Sequence, residues 1–233
     1  MAEPLDKTYS NITFQDIVKN SEIKTYLEMG DKYLGTLGYT NHSLLHAQRV
    51  AKIAHMILVS LNYDKRTAEL ARIAGYMHDI GNVINRDDHA QSSAMMAFNM
   101  LNRMGMAPNE IAKIVGAIGN HDEGTGKPVN SLAAAVIIGD KTDVRRSRVR
   151  TRDPQNFDIH DRVNYAAVVS DVTVEPGIDN KESIIKMDLV IDADICSVTD
   201  YFEIFLSRML MCRRAAERLK AVFELHVNGT KLT

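Results

Sequence analysis

Four side chains raise the question of chemistry in this sequence: His46, the adjacent pair His78 and Asp79, and Asp140 in the string Ile137-Ile138-Gly139-Asp140-Lys141. Imidazole nitrogen and carboxylate oxygen together suit iron, manganese, zinc, nickel or cobalt, whereas calcium and magnesium prefer oxygen. A histidine beside an aspartate proves nothing by itself. The company of the other two carries the weight, because each lies in its own segment of helical apolar spacing. Neighbours on a helix diverge by about 100°, so His78 and Asp79 can grip one ion only where the helix ends or where the ion lies between their directions. The string Gly75-Tyr76-Met77-His78-Asp79-Ile80-Gly81-Asn82 places the pair at such an end.

The elements that must position these residues are helices. Residues 1 to about 150 repeat apolar positions every three or four, with Gly, Pro or Asn at the joins. A helix that Ser21 precedes and that runs through Leu34 is expected, then one capped by Thr40 or Asn41 and running through His46 to Ile57. Further helices are expected over Arg66 to about Ile80, His89 to Met104, Pro108 to about Asn120, and Ser131 to about Arg146. The pattern then changes near Asp153 and Pro154. Arg162 to Glu175 and Glu182 to Asp192 are rich in β-branched residues, with Ile185, Met187, Leu189 and Ile191 alternating with their neighbours. Pro176, Gly177, Asp179 and Asn180 supply a turn between them, so an antiparallel hairpin is expected. Val198, Phe202, Phe205, Met209, Cys212, Ala216 and Leu219 form one helical stripe, and Phe223, Leu225 and Val227 a final strand. The expected fold is mainly α: a helical metal-binding bundle over 1–152, then a small ββαβ module over 153–233 that serves dimerisation or covers the pocket.

Composition bounds the classes of function. A chain of 233 residues with 45% hydrophobic and 25% charged residues is globular rather than disordered or collagenous. A formal charge of −2 offers no global attraction to nucleic acid or an anionic membrane. Met1 to Asn20 lacks the apolar run of a signal peptide and no stretch has the length of a membrane span, so a cytoplasmic protein is expected. Cys196 and Cys212 are too few and too far apart for a disulfide framework, and read as packed thiols.

The order His46, then His78-Asp79, then Asp140, each on its own helix of an all-α domain, resembles the HD-domain superfamily of metal-dependent phosphohydrolases, over roughly residues 38 to 150. His89 in Asp87-Asp88-His89-Ala90 and His121 in Gly119-Asn120-His121-Asp122 fall where the dinuclear branches carry extra ligands, among them the HD-GYP phosphodiesterases and the symmetrical dinucleoside polyphosphate hydrolases. The resemblance implies His46, His78 and Asp140 on one metal, His89 and His121 on a second, and Asp79 bridging them. It departs from HD-GYP proteins at Asn82, where those tend to carry a lysine, and it lacks the GYP signature. Nor is there a paired Glu-Asp signature of the guanosine tetraphosphate hydrolases.

With one or two divalent ions in such a cage, hydrolysis of a phosphate ester or pyrophosphate bond in a small nucleotide-like molecule is the natural reaction. Asp79 and Lys141 are the expected catalytic groups, Asp79 helping to orient the attacking water. Lys141, Arg145, Arg146 and His42 are the expected substrate contacts, Arg145 lying one helical turn beyond Lys141. The run Arg145, Arg146, Arg148, Arg150 and Arg152 has a plainer explanation as a solvated helix end complementing the dipole. No aromatic residues interleave with it, so nucleic acid is not the expected partner. His55, His160 and His226 read as bland. A homodimer is expected. A nucleotide-binding sensor without turnover and a di-iron oxygenase are the rival functions.

Overall fold

The structure, a computed structural model, describes residues 9–151, 153–179 and 181–232. Arg152 of the basic run and Asn180 of the expected turn lie outside them. The chain opens with α1 (Phe14–Lys19), started by a capping box in which Thr13 and Asp16 exchange side-chain and backbone hydrogen bonds. Six residues are too few to show periodicity, so only the cap signals this helix in the sequence. Then come α2 (Ser21–Thr36), α3 (Leu44–Ser60), α4 (Lys65–Met77), a 3-10 turn (Ile80–Val83), α5 (His89–Arg103), α6 (Pro108–Ile118) and α7 (Ser131–Lys141). The cap of α3 is Ser43 rather than Thr40 or Asn41. Asn41 instead accepts the Ser43 N–H at 2.9 Å, an Asx turn that leads into the helix.

Helix α7 is buried almost all round, with Leu132 through Gly139 inside. It packs against α3, α4 and α6 and also against the long C-terminal helix, which is why its sequence is apolar on every face. Gly139 permits one close approach, since a Cβ there would lie 3.0 Å from the carbonyl oxygen of Val50 in α3. The helix stops at Lys141, earlier than the expected Arg146. Thr142 turns its hydroxyl back to the Ile138 carbonyl at 2.6 Å, and Asp143 leaves the helix to bury its carboxylate. Arg145 therefore does not share a helical face with Lys141.

The second part departs from expectation at its start. Residues from Arg162 belong to a helix, α8 (Ile159–Ala166), capped by Asp158, and β1 begins only at Ala167 and runs to Glu175. Strand β1 pairs antiparallel with β2 (Ser183–Ile191), as the turn chemistry implied. Helix α9 (Val198–Arg218) then crosses over so that β3 (Ala221–Val227) lies parallel to β2. A short β4 (Thr230–Lys231) follows, giving the order β1-β2-β3-β4. The hairpin joining β3 to β4 turns on Asn228 and Gly229, both with positive φ, an Asn-Gly turn of the kind favoured in two-residue hairpins. One continuous apolar core includes both the bundle and the α9 side of the sheet, from Ile57 and Ile137 to Phe205, Cys212 and Leu225. No helix among the described residues is long and apolar enough to cross a membrane.

Candidate metal centre

Six side chains from five helical segments meet at one end of the bundle. His46 projects from the first turn of α3, His78 caps α4 with Asp79 next to it, His89 begins α5, His121 follows α6, and Asp140 lies in the last turn of α7. Gly81 lets the 3-10 turn press against the start of α5, because a Cβ there would fall 2.4 Å from the Ser93 nitrogen and 2.6 Å from the His89 carbonyl. That contact brings His89 beside Asp79.

The donor atoms form two sets that share Asp79. Its Oδ2 lies 3.6 Å from His46 Nε2 and 3.4 Å from His78 Nε2. Its Oδ1 lies 3.5 Å from His89 Nε2 and 3.7 Å from His121 Nε2. Asp140 Oδ1 joins the first set, 3.4 Å from His46 Nε2 and 3.7 Å from His78 Nε2. Donors around an ion at about 2.1 Å stand roughly 3.0 Å apart in an octahedron and roughly 3.4 Å apart in a tetrahedron. The observed separations match those edges. The tightest groupings are His46-His78-Asp140 and His78-Asp79-His121; both use His78 Nε2, so they are alternatives, and only the division through the two oxygens of Asp79 gives separate donors for two ions.

The ring tautomers test the fit independently. Every Nδ1 faces an oxygen that can only accept: Asp143 Oδ2 at 2.7 Å for His46, and the carbonyls of Gly75, Arg86 and Ile118 at 2.8, 2.9 and 2.6 Å for His78, His89 and His121. Each Nδ1 therefore carries the hydrogen, and in the neutral ring each Nε2 is a lone pair. The lone pairs of His46 and His78 face each other at 3.3 Å, and those of His89 and His121 at 3.1 Å. Lone pairs so placed repel unless positive charge stands among them, a proton or a cation, and a divalent metal would supply it for both pairs.

Charge follows the same layout. Burial opposes ionisation of Asp79 and Asp140, yet His78 beside Asp79 and Lys141 beside Asp140 hold both carboxyls well below the usual range. Burial also works against a proton on His78, but Asp79 and Asp140 outweigh it and raise the imidazole. Burial and the Arg86 guanidinium bring His89 down to about 4, so its ring is neutral at physiological pH. Asp143, which sequence reading passed over, receives His46 Nδ1 and also pairs with Arg145 Nε at 2.7 Å and Arg49 Nε at 3.0 Å. It fixes the orientation of a ligand ring rather than acting as a ligand.

A cavity of about 220 Å³ opens on Asp79, His89, His121 and Asp140. His42 and Lys141, expected as substrate contacts, both line it. Lys141 Nζ also pairs with Asp140 Oδ2 at 2.6 Å. Arg145 and Arg146, expected beside them, do not line it: Arg145 is drawn to Asp143, and Arg146 donates to the Tyr165 carbonyl at 2.7 Å while lying over that ring. The cations in the wall are instead Arg86, Arg148 and Arg208. Arg86 sits 3.3 Å from His89 Nε2 and 4.0 Å from Asp79 Oδ1. It makes up for the cation missing at Asn82, whose side-chain oxygen it meets at 3.4 Å. Asn82 lies in the 3-10 turn and Arg86 in the non-helical segment before α5, so no helical spacing announced it. His160, read as bland, also lines the wall with Asp158 from the start of α8, and no sequence pattern announced that.

The family model described as HD domain matches residues 44–158. An uncharacterized protein of Methanocaldococcus jannaschii is 27% identical over 211 residues, covering 80% of each chain. A segment of Ribonuclease Y from Lawsonia intracellularis is 32% identical over 102 residues, which is 44% of this chain and 18% of that protein. A crystal structure of a predicted HD superfamily hydrolase from an uncultured Thermotogales bacterium superposes with a TM-score of 0.41 at 25% identity, over 53% of this chain and 67% of that one.

Proposed function

With residues 44–158 an HD domain, we propose that this chain is a divalent-metal-dependent phosphohydrolase acting on a small, nucleotide-like phosphorylated substrate, with two metal positions sharing Asp79. One observation carries the reading: four Nδ1-protonated histidines turn their Nε2 lone pairs toward Asp79 and Asp140, and those two carboxylates line, with His89 and His121, a cavity whose wall also carries Arg86, Lys141, Arg148 and Arg208. Divalent ions held there would neutralise phosphoryl charge and supply a water acidic enough to attack phosphorus.

The chain's own residues supply the rest. Lys141 fixes Asp140 through its Oδ2, leaving Oδ1 toward His46 and His78. Arg86 and Arg148 offer guanidinium donors to non-bridging phosphate oxygens, the geometry that guanidinium suits best. Burial lowers the pKa of His42 well below the usual range, and its Nδ1 donates to the Thr40 carbonyl at 2.7 Å. Its Nε2 is thus an acceptor for a hydroxyl of the substrate or for water. A cavity of about 220 Å³ is below the roughly 300–1,000 Å³ of ordinary ligand sites, which favours a mononucleotide or smaller group over a polymer. The likeness to a segment of Ribonuclease Y is compatible with phosphodiester chemistry, so dinucleotides belong among the substrates tried.

The test is metal analysis of the purified protein, followed by phosphate release from nucleoside phosphates, dinucleotides and sugar phosphates with each of iron, manganese, zinc, nickel and cobalt. Metal-dependent turnover is the expected result. Tight nucleotide binding without product would identify a sensor, and oxygen-dependent product formation an oxygenase; either would refute the proposal.

A further inference from the structure

Glu123 occupies a place that its neighbours are built to offer an anion. Its Oε1 lies 2.5 Å from Arg208 Nε and its Oε2 lies 3.2 Å from Lys141 Nζ, one carboxylate oxygen to each cation. Both cations are held from behind without it. The Arg208 guanidinium lies over the Phe205 ring at 4.6 Å, and that ring stacks on Tyr201 at 4.9 Å and 6°. Lys141 is fixed by Asp140. Glu123 by contrast stands in the segment between α6 and α7, where its carboxylate is held by these two cations and by its own backbone N–H. All three residues line the cavity. The pair of cations adjoins the candidate metal ligands directly, because Lys141 Nζ pairs with Asp140 Oδ2 at 2.6 Å.

Resting on the phosphohydrolase reading above, we propose that Lys141 and Arg208 form a second anion subsite which Glu123 fills until substrate arrives. The preferred substrate then carries two anionic groups: the phosphoryl group that reacts at the metal ligands and a neighbouring phosphate or carboxylate that displaces Glu123. Arg208 comes from α9, so the C-terminal module reads the substrate instead of merely covering the pocket.

The test compares two inert ligands on the metal-loaded protein by calorimetry, which needs no turnover: methylphosphonate, with one anionic group, and phosphonoacetate, with two. Wild type is expected to prefer phosphonoacetate by about tenfold or more, the worth of a charge-assisted hydrogen bond. Arg208→Gln should bring the preference near parity, and Arg208→Lys should leave it between the two. Glu123→Gln should raise it, because the competing carboxylate is gone. Chelation of metal by the ligand is common to every variant and cancels in the comparison. An unchanged preference in Arg208→Gln and Arg208→Lys overturns the subsite. A lower preference in Glu123→Gln overturns the displacement, since Glu123 would then only be supporting Arg208. Failure of the wild type to bind either ligand would remove the phosphohydrolase reading, and this inference with it.

Discussion

Replacing Asp143 by asparagine should strip the metal centre of a ligand without touching a ligand. Asp143 is 2% exposed, and apart from His46 every group facing it is an arginine donor. Arg145 reaches it with Nε at 2.7 Å and Nη2 at 3.3 Å, Arg49 Nε stands at 3.0 Å and Arg148 Nη1 at 4.0 Å. An asparagine amide meets these by turning its oxygen to the guanidiniums and its NH2 to His46. An NH2 can face Nδ1 only when Nδ1 accepts, which moves the ring hydrogen to Nε2 and removes the lone pair aimed at the ion. Loss of such an orienting partner costs about 10–100-fold in metal affinity, or about 1.4–2.8 kcal/mol. Removing a buried carboxylate from its cations costs about 3–5 kcal/mol when all are dry. Here the side chains of Arg49 and Arg145 are 29% and 26% exposed, so water takes up part of the loss and about 2–3 kcal/mol is the better expectation. For a chain of this length that lowers the melting temperature by about 5–10 °C. Calorimetric metal titration and a thermal melt check both figures. Asp143→Asn binding metal with wild-type affinity and stoichiometry would refute the tautomer reasoning, whatever happened to its stability.

Three other outcomes follow from the same geometry. Asp79→Ala should lose turnover and at least one metal position while its far-ultraviolet circular dichroism stays that of the wild type; undiminished turnover would defeat the site assignment. Arg148→Gln should raise KM because Arg148 lines the cavity, whereas Arg146→Ala should not, its guanidinium being spent on Tyr165; equal effects would mean that the wall is wrongly drawn. Burial would raise the Glu123 carboxyl, but Lys141 and Arg208 outweigh it and hold it at about 2, below the roughly 4.3 of an unfolded chain. Its contribution to stability is therefore complete above about pH 4.3 and is lost as the pH falls toward about 2. The melting temperature of the metal-free wild type should drop more steeply across that window than that of Glu123→Gln, and parallel curves would contradict the ion pairs.

The helices that carry the candidate ligands were readable because apolar spacing survives in a single sequence: α5 and α6 begin at His89 and Pro108 as the pattern implied. At the end of α7 the reading failed because a tertiary contact overruled a local signal. Helix α7 stops short of the arginine run because Asp143 is pulled into the bundle beneath His46, 97 residues away in sequence. The arginines then follow an irregular path, and Arg148 rather than Arg145 reaches the cavity. The stretch from Arg162 mixes helix and strand formers, and the Asp158 cap decided for helix up to Ala166. Arg208 was visible only as a polar position on the α9 stripe, since nothing local records which cavity a long helix passes.

The four imidazoles also show why one part of the centre is local and another is not. His78 and His121 follow the last turns of α4 and α6, and each donates Nδ1 to the carbonyl three residues earlier, Gly75 and Ile118. Carbonyls of a last helical turn lack the amide partner four residues on, so the ring finds an acceptor with a lone pair to spare within its own segment. His89, at the start of α5, does the same with the Arg86 carbonyl in the preceding turn. His46 does not use this device: it sits in the first turn of α3, where the Ser43 carbonyl three residues back is engaged by the Ala47 N–H at 3.1 Å, and its ring turns away from it. Its Nδ1 must find an acceptor from elsewhere in the fold, and Asp143 is that acceptor. Three rings are thus oriented as soon as their helix ends form, whereas the fourth waits for α7 to dock against α3. Assembly of the first ligand set is on this account coupled to packing of the bundle, and loosening that contact, for example with Gly139→Ala against the Val50 carbonyl, should weaken metal binding at His46 and Asp140 before it disturbs His89 and His121.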